Sequence, residues 1–482
     1  MDAQLDLLHA EAANDGPPAA RARHAQAPAA PASGPRLGEL LGALSQALDS
    51  AEGQPPGHCL RSCWIAQQLG RAIGLSTSQL RDLYYTTLIK DAGGSSNAAR
   101  LSALLLTDDL VFKRERRRAG TSLPGLLRFV TRHVGAATGM RERLRAIANA
   151  VQNGGEIHRE LTEQRCSRGA QIARQLRLGD DVAEAIQSLD EHWDGNGQPQ
   201  GLAGREIPLH ARLVSLAQAV DVWHAGAGPQ ATREQIARRS GRMFDPRLAD
   251  AFAVLARDPA FWRQLAGDDL EPLVLAMEPA QQPQPVDDDY LDEIAAVYGQ
   301  IVDAKSPWTA GHSTRVGLAA EQLARRLGLA GPERRWLRRG ALLHDIGKLG
   351  LSNRILDKAG PLDAAERAAM QRHPMHTEQI LGRIASFGAL ARVAGAHHEK
   401  LDGTGYPRGL DARHIRLETR IITTADIFDA LTADRPHRRS LGTAQALQLM
   451  RDGIGSAIDG DCFAALERSI DALGASSAFA GL

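Results

Sequence analysis

The chain has 482 residues, room for two to four domains, and its 57 Lys plus Arg are balanced by 57 Asp plus Glu. A net charge of zero exerts no global pull on nucleic acid or anionic lipid, so neither is expected as a partner. Cys59, Cys63, Cys166 and Cys462 form no CxxC pair, the amino terminus lacks a basic and apolar leader, and no apolar run reaches the ~20 residues that span a bilayer, so a soluble cytoplasmic protein is expected.

Residues 1–36 are rich in Ala and Pro and read as a disordered tail. Helical patterning runs over 37–275, breaks at a Pro/Gln linker over 276–289, and resumes at Tyr290 for the domain 290–482. Few aromatics, many Ala, Leu and Arg, and one short β-branched run at Arg420–Thr424 with helical flanks place the chain in the all-α class.

The two halves read as tandem copies of one helical bundle. Gly311-His312-Ser313 resembles Gly57-His58-Cys59, and Leu342-Leu343-His344-Asp345 resembles Leu88-Ile89-Lys90-Asp91, both at an offset of 254 (344 − 90). Further on, Asp402-Gly403-Thr404-Gly405-Tyr406-Pro407 echoes Asp194-Gly195-Asn196-Gly197-Gln198-Pro199 at an offset of 208 (402 − 194). The difference of 46 residues is an insertion in the first copy, within about 95–160, and it holds the basic run Lys113–Arg118. With no aromatic interleaving, that run reads as a solvated face rather than a phosphate grip.

In the second copy the run Leu342–Lys348 puts three ionisable residues into an apolar context. Read as one helix, Leu337, Ala341, His344, Asp345 and Lys348 share a stripe that should face a core. Buried charges need partners or a metal. His312, His373, His397, His398 and Asp426 also stand in apolar surroundings. Five histidines and two aspartates without cysteine form an N/O donor set for Fe, Mn, Ni, Co or Zn. Seven donors exceed one ion's coordination and suit two ions sharing a carboxylate. Two such ions clamp an in-line phosphoryl displacement, with Lys348 beside the phosphate and a metal-activated hydroxide attacking phosphorus. Tyr406, in a Gly/Pro loop, is a candidate base or phosphate contact, and Arg435 and Arg438 are candidate phosphate forks.

With these residues in place, the segment from about Asp303 to Leu449 resembles the HD-GYP family of HD-domain phosphohydrolases: the GHS segment, LLHDIGK, the HP pair, the HHE-x-x-DGTGYP block, Asp426 and DALTADRP follow in order. The resemblance implies an all-helical enzyme with two or three metal ions, often iron or manganese, that hydrolyses cyclic di-GMP to pGpG or onward to GMP. It implies that His312, His344, Asp345 and Asp426 bind one metal, with Asp345 bridging to a second held by His373, His397 and His398. It gives Asp345 and Lys348 catalytic roles and makes Lys348, Arg435 and Arg438 substrate contacts, beside the candidate Tyr406. Trp308 stands where members with a third metal have a glutamate, which favours two metals; His437 and Ile458-Asp459-Gly460 also depart from the family pattern.

The first copy looks decayed. Lys90, Arg165, Leu189, Asp190 and Gln218 replace the later ligands, Gly94 replaces the lysine and Gln198 the tyrosine, leaving His58 and Asp91. A non-catalytic domain is expected, with Lys90 and Arg165 balancing Asp91 and Asp190 in place of metal. Alternatives remain: the same chemistry on another cyclic dinucleotide, or a signalling scaffold that recruits proteins through the GYP loop or the first domain with weak turnover.

Overall fold

A computed structural model describes residues 34–118, 131–135, 139–279, 285–436 and 438–474. The expected tail lies outside the described residues over 1–33, as do residues 280–284 of the linker and His437. Helices carry the described residues; the β pairing among them is limited to isolated bridges such as Asp402 with Asp411, and Arg420–Thr424 is helical. No helix of the described residues is long and apolar enough to cross a membrane. The chain divides into two units, Arg36–Val286 and Asp287–Leu482.

In the first unit, α1 (Leu37–Ala51) buries Leu40, Leu41, Leu44 and Leu48 on a stripe spaced for a helix. It is followed by α2 (His58–Ala72) and α3 (Thr77–Leu88). A capping box starts α3: Gln79 N donates to Ser76 Oγ at 3.3 Å, and Ser76 N donates to Gln79 Oε1 at 3.0 Å. Then come α4 (Gly154–Gln175), α5 (Asp180–Gln187) and α6 (Leu209–Arg239), the last broken at Gly228, whose φ is +78°, ahead of Pro229. The insertion forms helices Ala98–Leu105, Asp109–Arg118 and Met140–Gln152 around their own apolar cluster of Leu101, Leu105, Val134, Ala146 and Leu161. Its basic run is not wholly a solvated face. The Lys113 ammonium turns inward and donates to Glu52 Oε1 at 2.7 Å and Gly94 O at 3.0 Å.

In the second unit, α7 (Asp288–Asp303) starts two residues ahead of Tyr290, because the Asp287 side chain accepts from Tyr290 N at 2.8 Å and caps it. Next come α8 (His312–Arg326), α9 (Gly331–Leu343), α10 (Ala364–Met370), α11 (His373–Leu381) and α12 (Gly388–Ala394). Then come α13 (Leu417–Thr432), α14 (Thr443–Asp452) and α15 (Gly460–Glu467), followed by the short helix Ile470–Gly474. Val316, Leu323, Leu337, Ala341, Ile421, Ile422 and Phe428 knit α8, α9 and α13 into one core. Burying each large apolar side chain contributes roughly 1.5–3 kcal/mol. Thus α13 is held on nearly all sides and is a rigid mount for Asp426.

The expected continuous stripe from Leu337 to Lys348 is corrected by the structure. Helix α9 stops at Leu343, and Ile346–Gly350 form a 3₁₀ turn. The tight approach of this turn to α11 explains the break. A Cβ at Gly347 would lie 2.1 Å from His373 O, so only glycine fits. The first unit repeats the contact: a Cβ at Gly93 would lie 1.9 Å from Arg165 O.

The helices α2 and α8 are entered in the same way. Cys59 N donates to Asp49 Oδ1 at 3.0 Å, and Ser313 N donates to Asp303 Oδ2 at 3.0 Å. Burial pushes the Asp49 carboxyl up to about 7 against the opposing pull of the Cys59 hydrogen bonds and the Lys90 charge. The folded chain therefore keeps a proton that the unfolded chain has released, and this group's contribution falls as pH rises from 3.8 to about 7. Asp49→Asn keeps the acceptor for Cys59 N and removes the ionisation. Urea-unfolding midpoints of the two proteins should separate with rising pH, the variant being the more stable at neutral and alkaline pH. Parallel pH profiles would contradict this.

Candidate metal centre

Chain breaks between helices deliver the donors. His312 and His373 are the first residues of α8 and α11, His344 and Asp345 follow the last residue of α9, and His397 and His398 follow α12. Asp426 comes from the middle of α13. All seven sequence-predicted donors come together, and all are buried.

Asp345 stands between two groups of imidazoles. Its Oδ2 lies 3.4 Å from His312 Nε2 and 3.5 Å from His344 Nε2, while its Oδ1 lies 3.3 Å from His373 Nε2 and 3.6 Å from His397 Nε2. Asp426 Oδ1 joins the first group, 3.4 Å from His312 Nε2. His312, His344 and Asp426 offer ligand atoms within 4.8 Å of one another, and so do His373, His397 and His398.

The rings are aimed from behind. Nδ1 donates to Ala341 O at 2.7 Å in His344, to Met370 O at 2.7 Å in His373 and to Ala394 O at 2.6 Å in His397. His312 Nδ1 donates to Asp429 Oδ2 at 2.7 Å. These bonds fix the tautomer and turn each Nε2 lone pair inward.

The field inside the cluster is uneven. Burial alone would raise the carboxyl of Asp345, but His344, Lys348, His312 and His373 outweigh it and hold it well below the usual carboxylate range. Asp426 is held low in the same way, by His344 and His312. Burial and neighbouring imidazoles press His397 far down and His398 down to about 3. These rings are therefore neutral, as metal ligation requires. His312 rises, to about 9: burial opposes this, but the Asp345 carboxylate 3.4 Å from its Nε2 and the Asp429 carboxylate on its Nδ1 outweigh it.

A divalent cation fits this donor set. His312 Nε2, His344 Nε2, Asp345 Oδ1 and His398 Nδ1 are buried with no hydrogen-bond partner. Leaving each such group unsatisfied costs about 1–3 kcal/mol, a penalty that a shared cation removes.

The centre opens on a cleft lined by Trp308, Lys348, Lys358, Tyr406, Arg435 and Arg438, among others. Lys348 Nζ lies 2.5 Å from Asp345 Oδ2. The Tyr406 ring sits 4.9 Å from that of His398. The two arginines differ. Arg438 spends its guanidinium on the carbonyls that end α13, donating to Leu431 O at 2.9 Å and Ala430 O at 2.7 Å. Arg435 has a buried Nε with no partner.

In the first unit the same frame carries other groups. His58 Nδ1 lies 2.7 Å from Asp221 Oδ2, as His312 does from Asp429. Where imidazoles stand in the second unit, Lys90 pairs with Asp91, and Arg165 pairs with Asp190 and lies 4.0 Å from Asp91. The arginine loop is missing as well. Arg212 pairs with Asp245 as Arg420 does with Asp459, yet the offsets are 208 (420 − 212) and 214 (459 − 245). The six extra residues of the second unit fall in the stretch that holds Arg435 and Arg438.

A family model described as "HD domain" matches residues 142–248 and 296–462. The chain belongs to the HD-domain family, in its HD-GYP branch. It is 49% identical over 437 residues to a protein of Vibrio cholerae serotype O1 named 3′3′-cGAMP-specific phosphodiesterase 3, covering 91% of this chain and 95% of that one. A crystal structure of a cyclic GMP-AMP-specific phosphodiesterase from V. cholerae matches with a TM-score of 0.63 at 44% identity, covering 90% of this chain and 98% of that one. The Xanthomonas campestris cyclic di-GMP phosphodiesterase response regulator RpfG is 40% identical over 156 residues, 32% of this chain and 40% of its own.

Sequence reasoning missed the supports: Asp429 behind His312, Thr377, whose Oγ1 accepts from Gly347 N at 3.0 Å, and Glu399, which accepts from Arg408 N and Leu410 N at 2.7 and 2.8 Å. The repeat held a signal for two of them. Asp221 and Glu191 stand at the matching positions of the first unit, where Asp221 holds His58 as Asp429 holds His312. Asp429→Ala should weaken metal binding about 10–100-fold in titrations of chelator-stripped protein. Unchanged affinity would remove Asp429 from the centre.

Proposed function

We propose that the chain is a metal-dependent phosphodiesterase of cyclic dinucleotides, with 3′3′-cGAMP as substrate. The observation that carries the chemistry is the Asp345 carboxylate, one oxygen toward each group of imidazoles. His312, His344 and Asp426 would hold one divalent ion, His373, His397 and His398 a second, with Asp345 shared. Iron or manganese suits the donors; nickel, cobalt and zinc remain compatible. The ions would supply Lewis acidity and an activated water at neutral pH.

The chain's own residues do the rest. Water adds across one P–O3′ bond: its oxygen goes to phosphorus and a proton ends on the departing 3′ oxygen, giving a linear dinucleotide. Lys348 and Arg435 place positive charge where the phosphate gains negative charge. Carbonyl bonds behind His344, His373 and His397 keep the donors from reorienting during the reaction. Residues 36–286 act without metal, their ion pairs standing where the second unit has ligands.

The choice of 3′3′-cGAMP rests on the relative that spans both units; the RpfG relative, named for cyclic di-GMP, matches 32% of this chain. Cyclic di-GMP is the second reading. Manganese- or iron-loaded protein incubated with each dinucleotide and resolved by chromatography should convert 3′3′-cGAMP faster. Faster turnover of cyclic di-GMP would reverse the assignment, and no product from either would end it. In the full chain, His344→Ala with Asp345→Ala should abolish turnover and leave the helical circular dichroism intact. Unchanged turnover in that variant would remove both residues from the mechanism.

A further inference from the structure

Trp308 belongs to the 3₁₀ turn Pro307–Thr309, four residues ahead of His312. The turn is pinned. Trp308 N donates to Ser306 Oγ at 3.2 Å, Ser306 Oγ donates to Asp357 Oδ1 at 2.5 Å, and Thr309 Oγ1 donates to Asp303 O at 2.9 Å. Asn353 Nδ2 in turn holds Asp357 Oδ2 at 2.7 Å. This rigid mount carries an indole that is 38% exposed, the one aromatic among the exposed large apolar side chains of the described residues. An indole normally gains by burial, so a fixed and exposed one is suited to a planar apolar ligand.

Its surroundings narrow the ligand. Trp308 lines the cleft that also reaches His373, His398, Lys348 and Arg435. Tyr406, the other aromatic of that lining, tilts at 32° against the His398 ring, which occupies one of its faces. Cations and metal donors at the inner end suit a phosphate, and a flat π surface at the edge suits the base attached to it.

We propose that Trp308 is a stacking platform for one purine base of the substrate and so determines preference for nucleotides over phosphodiesters that lack a base. This rests on the phosphodiesterase reading above. Stacking acts on binding, so its loss should appear in KM rather than kcat.

Trp308→Ala and Trp308→Phe would be compared with the parent protein on 3′3′-cGAMP and on methyl p-nitrophenyl phosphate, a diester without a nucleobase. Trp308→Ala should raise KM for the dinucleotide about tenfold with kcat nearly unchanged, and Trp308→Phe should recover most of the loss. Kinetics on the small ester and metal content should not move. An unchanged dinucleotide KM, or equal losses on both substrates, would overturn the stacking role while leaving the function intact. A parent protein that cleaves neither cyclic dinucleotide would instead overturn the function, and the stacking role with it.

Discussion

Five imidazoles and two carboxylates inside a helical bundle repel solvent-starved charge unless something positive is shared among them. The Asp345 carboxylate is the hinge of that arrangement. Its two oxygens face different groups of rings, so whatever stabilises one group is felt by the other. The rest of the second unit can be understood as support for this one side chain. Helix α9 must stop at Leu343, the following turn must press against α11, and Gly347 must lack a Cβ for both to happen.

The two units solve the same electrostatic problem in different ways. Both keep a histidine bonded to a buried aspartate, both keep an arginine on that aspartate, and both cap the next helix from a buried carboxylate. In the first unit the acidic residues are then neutralised internally, by Lys90 and Arg165. In the second, Lys348 pairs with Asp345, and burial keeps His397 and His398 neutral beside it. Breaking a buried pair by removing one partner costs about 3–5 kcal/mol, so the Lys90–Asp91 pair is as much a structural commitment as the second unit's donors.

The cleft outside the centre divides labour among its basic residues. Arg438 closes the carboxyl end of α13 and so shapes the loop, whereas Arg435 keeps an unbonded Nε. Both lie in a stretch that the first unit lacks, so loss of donors and loss of the arginine loop go together. If the first unit acts without metal, as proposed, it has no use for a phosphate grip.

The sequence by itself determined the helical class and singled out the seven candidate donors that the structure brings together, because apolar periodicity and ionisable residues set in apolar runs are local patterns. The supports Asp429 and Glu399 left only a trace there, as residues matched by Asp221 and Glu191 at an offset of 208 (429 − 221; 399 − 191), and it took the structure to give them their roles. Only the tertiary structure decided that Asp345 presents one oxygen to each group, that the helix breaks before His344, and that Lys113 turns inward. It also separated Arg435 from Arg438, which the sequence could only pair as neighbours. The reason is physical: side-chain direction depends on which distant backbone atoms come within hydrogen-bond reach, and spacing along the chain carries no record of them.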